Sequence, residues 1–356
     1  MNPPSGLSQP LTQYSPGGGC ACKLPQSLLD EVLTVVRSEG LGPGAHEGLR
    51  AGLAPADDAA VYDLDDTRSL VMTCDFLTPL VDDGYEWGRI AATNALSDVY
   101  AMGGRPLLAL NLLAWPADLD QQTLGEVLRG GARAIADAGA LLVGGHSIVD
   151  PTPKFGLAVV GDVDRHALLR KAGGRAGDVL VLTKPLGLGI VSTAVKRGQA
   201  NSGLVEAATT SMTRLNAEAA AVARDFELSG GTDVTGYGLA GHLHEMASAS
   251  GVAAHINTEQ VPLLPDVSSL VEAGCAPDGS TRTLANALDS GWFDPGNTDP
   301  VTQLLLADAQ TSGGLLLAVA AQDADGVVAQ LRARGDDAAA VIGTLVDGEP
   351  GTVSAR

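Results

Sequence analysis

Apolar and polar residues follow two different periods along this chain, and together these periods predict alternating helices and strands. Helical spacing of apolar residues occurs over 25–36, 87–102 and 122–138. Short runs suited to strands lie at 59–64, 70–73, 141–143 and 156–163, and the run 141–143 is typical of a buried strand. The alternation predicts an α/β or α+β protein.

The second half of the chain continues the same alternation. Strands are predicted over 179–183, 315–319 and 339–345, helices over 189–196, 204–224 and 239–249, and a loop over 232–238. The basic, glycine-rich run 164–177 between the halves is typical of an exposed linker. We therefore expect a mobile glycine-rich arm with a first helix (1–48), an N-terminal domain (49–168) and a C-terminal α/β domain (169–356).

Composition narrows the range of partners. The chain has 356 residues, with 22 Lys and Arg against 42 Asp and Glu, so its net charge is −20. A surface this acidic repels phosphate backbones, which argues against nucleic acid and anionic membranes as partners and means that any polyphosphate must arrive with cations. Four cysteines and no apolar run of about 20 residues predict a cytoplasmic protein without a disulfide framework.

The run Gly17-Gly18-Gly19-Cys20-Ala21-Cys22-Lys23 is the sharpest chemical feature of the sequence. Consecutive glycines can turn backbone amides toward an anion, and a lysine three residues from a thiol favours the thiolate. The alternative is a flexible tail with two incidental cysteines or a weak metal pair. The run is not a Walker loop, because the order Gly-Lys-Ser/Thr is absent.

Several acids lie at the ends of apolar segments, and they form a candidate Mg²⁺ site. They are Asp57, Asp58, Asp75, Asp98 and Asp233. Mg²⁺ prefers oxygen ligands and is usually shared between one or two carboxylates and substrate phosphates. The alternative for each acid is a solvated surface carboxylate. Asn94 lies four residues before Asp98 and so shares a helix face with it.

The segment Gly144-Gly145-His146-Ser147 follows a predicted strand and suits close backbone approach to a phosphate. As a bare pattern it is weak, and His146 could equally be a core histidine.

Six blocks of sequence, taken in order, resemble the selenophosphate synthetase (selenide, water dikinase) family. They are Tyr14–Lys23, Asp57–Leu64, Gly88–Asp98, Gly144–Ile148, Asp233–Gly238 and Gln310–Gly314. The later blocks alone are similar to the wider superfamily of aminoimidazole-ribotide-synthetase-like ATP-binding proteins, and the Cys20–Lys23 loop selects this member. The chain departs from the common bacterial pattern at Pro16, Ala21 and Ala309.

The resemblance implies a role for each matching residue. Cys20 corresponds to the catalytic cysteine or selenocysteine, and Lys23 corresponds to the essential lysine, which also contacts ATP. The implied Mg²⁺ ligands are Asp58, Asp98 and Asp233. The implied nucleotide contacts are Asp57, Asp75, Asp98, Gly145, His146 and Ser147.

The resemblance also implies a reaction, a fold and an assembly. ATP, selenide and water become selenophosphate, AMP and phosphate. Each subunit has two α/β domains, and a homodimer joins the N-terminal sheets into a β-barrel between subunits. Two other interpretations remain open: a thiamine-monophosphate-kinase-like enzyme of the same superfamily, which has no use for the Cys20–Lys23 loop, and a non-catalytic nucleotide-binding paralogue.

Overall fold

The computed structural model describes residues 9–15, 17–23, 28, 32, 34, 46–53 and 56–356. Of the first predicted helix, 25–36, the described residues are Leu28, Val32 and Thr34, and all three are helical. The remainder of that helix and Pro16 lie outside the described residues.

From residue 46 onward, the described part of the N-terminal domain consists of a six-stranded sheet and two helices. The strands are β1 (Leu49–Leu53), β2 (Ala56–Asp63), β3 (Arg68–Leu77), β4 (Arg105–Trp115), β5 (Leu141–Val149) and β6 (Lys154–Asp164), in the order β1-β2-β3-β6-β4-β5. The helices are α1 (Gly84–Ala101) and α2 (Gln121–Asp137). Strands β4 and β5 are parallel, so α2 serves as the crossover between them.

Local sequence explains how α1 is positioned. The Asp83 carboxylate accepts a hydrogen bond from the Glu86 amide and caps the start of the helix. Gly103, with φ of 76°, ends it in the left-handed conformation that glycine tolerates best. A Cβ at Gly88 would lie 2.0 Å from the Val127 carbonyl oxygen, so glycine lets α1 and α2 pack backbone to backbone. This packing fixes the face of α1 that carries Asn94 and Asp98.

One face of the N-terminal sheet is apolar and exposed, contrary to the prediction of a buried strand at 141–143. Leu141, Leu142 and Val143 are 64%, 41% and 53% exposed. They were misassigned because β5 is an edge strand, and within the described residues nothing covers it. The same face exposes Met72 and Phe76 of β3. In the described chain the sheet keeps two edges, β1 and β5, and so does not close into a barrel by itself.

A seven-stranded sheet forms the C-terminal domain. Its strands are β7 (Val179–Leu182), β8 (Gly230–Asp233), β9 (Ala253–Ile256), β10 (Phe293–Asp294), β11 (Leu315–Val319), β12 (Ala340–Val346) and β13 (Val353–Ala355), in the order β10-β13-β9-β12-β7-β11-β8. Its helices are α3 (Leu188–Lys196), α4 (Ser202–Thr213), α5 (Ala217–Asp225), α6 (Gly238–Ser250), α7 (Val267–Glu272), α8 (Asp278–Asp289), α9 (Pro300–Leu306) and α10 (Ala324–Ala333). Short 3₁₀ turns occur at Leu11–Tyr14, Gly19–Cys22, Lys171–Gly173, Thr258–Gln260 and Ala321–Asp323.

Three predictions in this half are corrected. The helix predicted over 204–224 is broken into α4 and α5 at Arg214, whose carbonyl oxygen accepts a hydrogen bond from Lys184 Nζ at 2.6 Å instead of continuing the helix. The start of the predicted loop 232–238 belongs to strand β8, which pairs with β11. The predicted exposed linker is partly buried: Leu169 is 1% exposed, and the Lys171 side chain contacts two carboxylates.

No helix in the described part of the chain combines the length and the hydrophobicity needed to cross a bilayer.

Candidate functional site

The short turn Gly19–Cys22 lies at the seam between the two domains. The Gly19 amide donates to the Thr78 carbonyl oxygen of the N-terminal domain at 3.3 Å. The Cys20 amide donates to Thr311 Oγ1 of the C-terminal domain at 3.0 Å. Gly19 has φ of 57°, and a Cβ there would lie 2.4 Å from Thr311 Oγ1, so the position requires glycine. The loop is therefore held by both domains at once.

The Cys20 thiol is buried and protonated in this arrangement. Its side chain is 3% exposed, and Sγ donates to Asn94 Oδ1 at 3.2 Å. Burial raises the pKa of Cys20 to about 12, the Asp75 carboxylate adds to the rise, and Lys23 opposes it. Lys23 lowers the pKa of Cys20, as its proximity predicts, but desolvation outweighs the attraction of the ammonium and the thiol keeps its proton.

Lys23 carries an ammonium whose pKa is raised by the charge of nearby carboxylates. Burial lowers the pKa of its side chain, but Asp75, Asp98 and Asp233 outweigh burial, and the net pKa is raised. Gly236 makes room for it, because a Cβ there would lie 2.8 Å from Lys23 Cδ. The lysine is therefore the positive charge on the loop, and it faces the predicted acids.

Asp98 and Asp233 face each other across the domain boundary. Asp98 accepts a hydrogen bond from Thr73, and Asp233 Oδ2 accepts from Ser97 Oγ at 2.7 Å. Burial, followed by the negative charge of Asp233, raises the pKa of Asp98 well above its usual range. Burial and the charge of Asp58 raise the pKa of Asp233. The two carboxyls repel, and a bound cation would relieve the repulsion.

Asp58 is fixed through one oxygen and leaves the other without a partner. Its Oδ1 accepts from Thr232 Oγ1 and from Lys171 Nζ, both at 2.9 Å. Its Oδ2 is buried and has no hydrogen-bond partner among the described residues. A buried carboxylate oxygen without a donor is costly, and it suits a hard cation.

Asp57 points toward the segment that joins the domains. Its Oδ1 accepts from the Lys171 amide at 3.3 Å, and its Oδ2 lies 3.7 Å from Arg170 Nε. Burial and the neighbouring Asp58 charge raise the pKa of Asp57 to about 6. The side chains of Asp57 and Asp58 thus point in different directions, and only the Asp58 carboxylate points toward the cluster of Asp98 and Asp233.

Asn94 connects the loop to the acids. Its Nδ2 donates to Asp75 Oδ2 at 2.6 Å. Its Oδ1 accepts from the Cys20 thiol and from the Ser312 amide at 2.8 Å. One helical side chain therefore joins the thiol, the nucleotide-contact candidate Asp75 and the loop 310–314.

The donor set fits Mg²⁺ shared with a substrate. Within the described residues, no three His, Cys, Asp or Glu side chains converge into a ready-made metal site. Mg²⁺ rarely uses such a site, since it keeps several waters and takes one or two carboxylates plus phosphate oxygens. The unpartnered Oδ2 of Asp58 and the raised pKa values of Asp98 and Asp233 fit that mode of binding.

Gly145, His146 and Ser147 do not join this cluster within one chain. They lie on β5, and β6 and β4 separate β5 from the Asp75 strand, a distance of about 14 Å across the sheet. Gly145 pairs with Asn111, and a Cβ at Gly145 would lie 2.3 Å from the Asn111 carbonyl oxygen. His146 is exposed, so its interpretation as a core histidine is wrong.

A cavity of about 320 Å³ opens in front of Cys20 and Lys23. It is lined by residues that include Gly236, Tyr237, Arg282, Thr283, Asn286 and Trp292. Its lining combines the thiol of Cys20 and the cations of Lys23 and Arg282 with one carboxylate, Asp289.

Sequence reasoning missed two lysines that support the site. Lys171 bridges Asp58 and Glu245, at 2.9 and 3.0 Å, and its basic neighbourhood suggested only a linker. Lys184 is 2% exposed and donates to the Ser312 carbonyl oxygen at 3.0 Å, which braces the loop that holds Cys20. The sequence signal for Lys184 is a lone lysine directly after a buried strand.

Comparisons with known proteins cover both domains. A family model described as AIR synthase related protein, N-terminal domain, matches residues 56–163, and its C-terminal counterpart matches 175–356. Selenide, water dikinase from Myxococcus xanthus is 46% identical over 343 residues, covering 96% of each chain. Selenide, water dikinase from Porphyromonas gingivalis is 44% identical over 334 residues, covering 93% of this chain and 94% of that protein.

A solved structure supports the fold. Thiamine-monophosphate kinase from Stenotrophomonas maltophilia matches with a TM-score of 0.63, covering 91% of this chain and 95% of that chain. Its sequence identity is 20%, so it shows a shared two-domain architecture and nothing about substrate.

Proposed function

Since the chain belongs to the selenide, water dikinase family, we propose that it makes selenophosphate from selenide, ATP and water, releasing AMP and phosphate. The observation that carries this proposal is the Cys20–Lys23 loop, which is held by both domains next to the carboxylates of Asp75, Asp98 and Asp233. A kinase acting on an ordinary hydroxyl or phosphate needs no thiol at this point. The arrangement supports a soft nucleophile instead.

The aspartates of the cluster form the proposed binding site for Mg²⁺ and the nucleotide phosphates. Asp58, Asp98 and Asp233 would hold Mg²⁺, and Asp57, Asp75 and Asp98 would contact the nucleotide. Mg²⁺ held by these residues would supply positive charge to offset the negative charge that develops during phosphoryl transfer. Lys171 and Thr232 orient the Asp58 carboxylate, and Ser97 orients Asp233.

Lys23 and Cys20 have different proposed roles on the loop. The Lys23 ammonium neutralises the terminal phosphate and steers it toward the selenium nucleophile. The Cys20 thiol keeps its proton while Sγ donates to Asn94 Oδ1, so it must release that proton before it can act as a nucleophile or selenium carrier. The closed loop also excludes water from the first transfer.

A homodimer would complete the nucleotide site. Two strands separate Gly145, His146 and Ser147 from Asp75 within one chain, and a second copy would bring the β5 segment to the ATP that Asp75 contacts. The exposed apolar face of the sheet, with Met72, Phe76 and Leu110, supplies the surface for joining two N-terminal sheets. A cytoplasmic location fits an oxygen-sensitive substrate and free thiols.

The nucleotide product tests the proposal. The wild-type protein, ATP, Mg²⁺ and selenide are mixed without oxygen, and nucleotides are separated by anion-exchange chromatography. We expect ATP consumption that depends on selenide and ends at AMP. ADP as the only final nucleotide would contradict the dikinase reaction and favour a simple kinase.

A further inference from the structure

Lys171, Glu245 and His242 form a largely buried network beside the carboxylate cluster, and the proposed chemistry gives Glu245 and His242 no role. Lys171 Nζ lies 2.9 Å from Asp58 Oδ1 and 3.0 Å from Glu245 Oε2. His242 Nδ1 lies 3.5 Å from the same Glu245 oxygen. The three side chains are between 6% and 18% exposed. Glu245 therefore contacts a lysine and a histidine through one oxygen.

The two ends of this network lie in different domains. At one end, Lys171 contacts Asp58, which belongs to strand β2 of the N-terminal domain. At the other end, His242 Nε2 accepts a hydrogen bond from the Tyr237 amide at 3.4 Å. Tyr237 lies in the loop that follows Asp233, the last residue of β8. The network therefore connects the strand that carries Asp58 with the loop that follows Asp233.

Helix α6 positions the central part of the network. Glu245 and His242 are three residues apart on α6 and so share one face of it. Ser250, at the end of the same helix, donates from Oγ to the Lys171 carbonyl oxygen at 2.8 Å. Because the Tyr237 amide donates to Nε2 of His242, a neutral imidazole carries its proton on Nδ1, the nitrogen nearer Glu245. One helix thus fixes both partners of Glu245.

The charge of Glu245 offsets the charge of Lys171. Burial raises the pKa of Glu245, but the hydrogen bond from His242 and the charge of Lys171 outweigh burial, and the net pKa is lowered. Glu245 is therefore a carboxylate. An ammonium that gave its whole charge to Asp58 would weaken the attraction of that carboxylate for a metal cation. An ammonium shared with Glu245 leaves more negative charge on Asp58.

From these contacts, and resting on the proposed function, we propose that Glu245 is a positioning residue for the proposed Mg²⁺ site. It shares the Lys171 ammonium with Asp58, which keeps Oδ1 of Asp58 fixed and leaves Oδ2 available to the cation. Through His242 it also anchors the loop that follows Asp233. Its effect on the affinity for Mg²⁺ passes mainly through Lys171.

Glu245→Gln tests this role, because it removes the charge and nearly keeps the shape of the side chain. Binding of AMPPNP, a non-hydrolysable ATP analogue, is measured by calorimetry at a series of Mg²⁺ concentrations. We expect the Mg²⁺ concentration for half-maximal binding to rise about tenfold, as for other residues that orient a metal ligand. The affinity for AMPPNP at saturating Mg²⁺ should stay within about twofold, because excess cation compensates by mass action.

Two further variants separate positioning from a general loss of structure. Asp336→Asn removes another buried, ion-paired carboxylate of the C-terminal domain, 2.7 Å from Arg214 Nε, and should leave the Mg²⁺ dependence unchanged. Glu245→Asp keeps the charge on a shorter side chain and should give an intermediate rise of about threefold, which tests the proposal even if Glu245→Gln does not fold. An unchanged Mg²⁺ dependence in the Glu245 variants, or an equal rise in Asp336→Asn, overturns the proposal.

A double-mutant cycle tests the route through Lys171. Added to Lys171→Met, Glu245→Gln should change the half-maximal Mg²⁺ concentration by less than about twofold, because the ammonium that Glu245 shares with Asp58 is already gone. A further tenfold rise would overturn the proposal. The titration contains no selenide, so its result does not depend on whether the protein makes selenophosphate. Formation of AMP by the wild type tests the proposed function separately.

Discussion

The Gly19–Cys22 turn and the β5 segment 145–147 are both implied contacts of one substrate complex, yet they differ in almost every physical respect. The turn is hydrogen-bonded to Thr78 of one domain and Thr311 of the other, and its Cys20 side chain is buried. The β5 segment is exposed along its whole length and lies on a sheet edge. One region is fixed by contacts from both domains of a single chain. The other is a solvent-exposed surface of the described chain.

Removing the loop charge should have the largest effect. Lys23→Ala deletes the ammonium that faces the phosphates, and we expect kcat to fall about 10³-fold, as for other cations on a transferring phosphoryl group. Lys23→Arg should recover part of the rate, because the guanidinium keeps the charge but changes the geometry. Steady-state AMP formation measures both. A near-wild-type kcat in Lys23→Ala would show that Lys23 has no role in phosphoryl transfer.

The carboxylates should show the next largest effect. Asp58→Asn, Asp98→Asn and Asp233→Asn should each weaken Mg²⁺-dependent ATP binding about 10- to 100-fold, because each loses a charged ligand. Asp118→Asn, at an exposed position of the same domain, is the matched control. Calorimetry with ATP and Mg²⁺ measures the affinities. Wild-type affinity for ATP in all three variants would show that these aspartates do not form the metal site.

A mixed-chain experiment sharpens the contrast between the two regions. Cys20→Ser and Ser147→Glu should each be inactive alone, the first in the loop and the second on β5. If one site uses the loop of one chain and β5 of the other, mixed dimers hold one intact site, and random pairing restores about a quarter of wild-type activity. Activity of the co-expressed mixture, purified without selection for mixed dimers, measures this. No recovery would place both elements in the same chain's site.

We expect the smallest effect from substitution of Lys184, which should change the free energy of unfolding and its dependence on pH. Burial lowers the pKa of Lys184 to about 7 in the folded protein. Between pH 7 and the unfolded pKa, the unfolded chain binds the extra proton, so stability rises with pH. The free energy of unfolding of wild type relative to Lys184→Met should rise by about 2 kcal/mol from pH 7 to 9. Parallel pH curves for the two proteins in urea unfolding would contradict this.

The sequence was most informative where local pattern and chemistry coincide. The family and the two-domain architecture inferred from ordered motifs are confirmed by the relatives and the family models. Helix α1 begins and ends within three residues of its prediction, because its cap and its terminal glycine are local signals. The structure brings Asp58, Asp98 and Asp233 to one seam, although their roles as ligands stay predictions.

The features that could not be predicted from the sequence depend on contacts between distant residues, which the periodicity of apolar residues does not encode. Lys171 reaches Asp58 across more than a hundred residues, and Lys184 breaks a helix thirty residues away. The pKa of Cys20 depends on burial by two domains, which outweighs the lowering effect of the adjacent Lys23. The run 141–143 was misassigned because an apolar strand has the same sequence pattern at the exposed edge of a sheet as in a buried core.

Phosphorus NMR of the anaerobic reaction tests whether the thiol-bearing loop directs ATP cleavage to selenium. Wild type with ATP, Mg²⁺ and selenide should give selenophosphate, AMP and orthophosphate in equal amounts. Cys20→Ser should give no selenophosphate while binding ATP normally, because a hydroxyl stays protonated where a thiolate is needed. Selenophosphate formed at the wild-type rate by Cys20→Ser would contradict the claim.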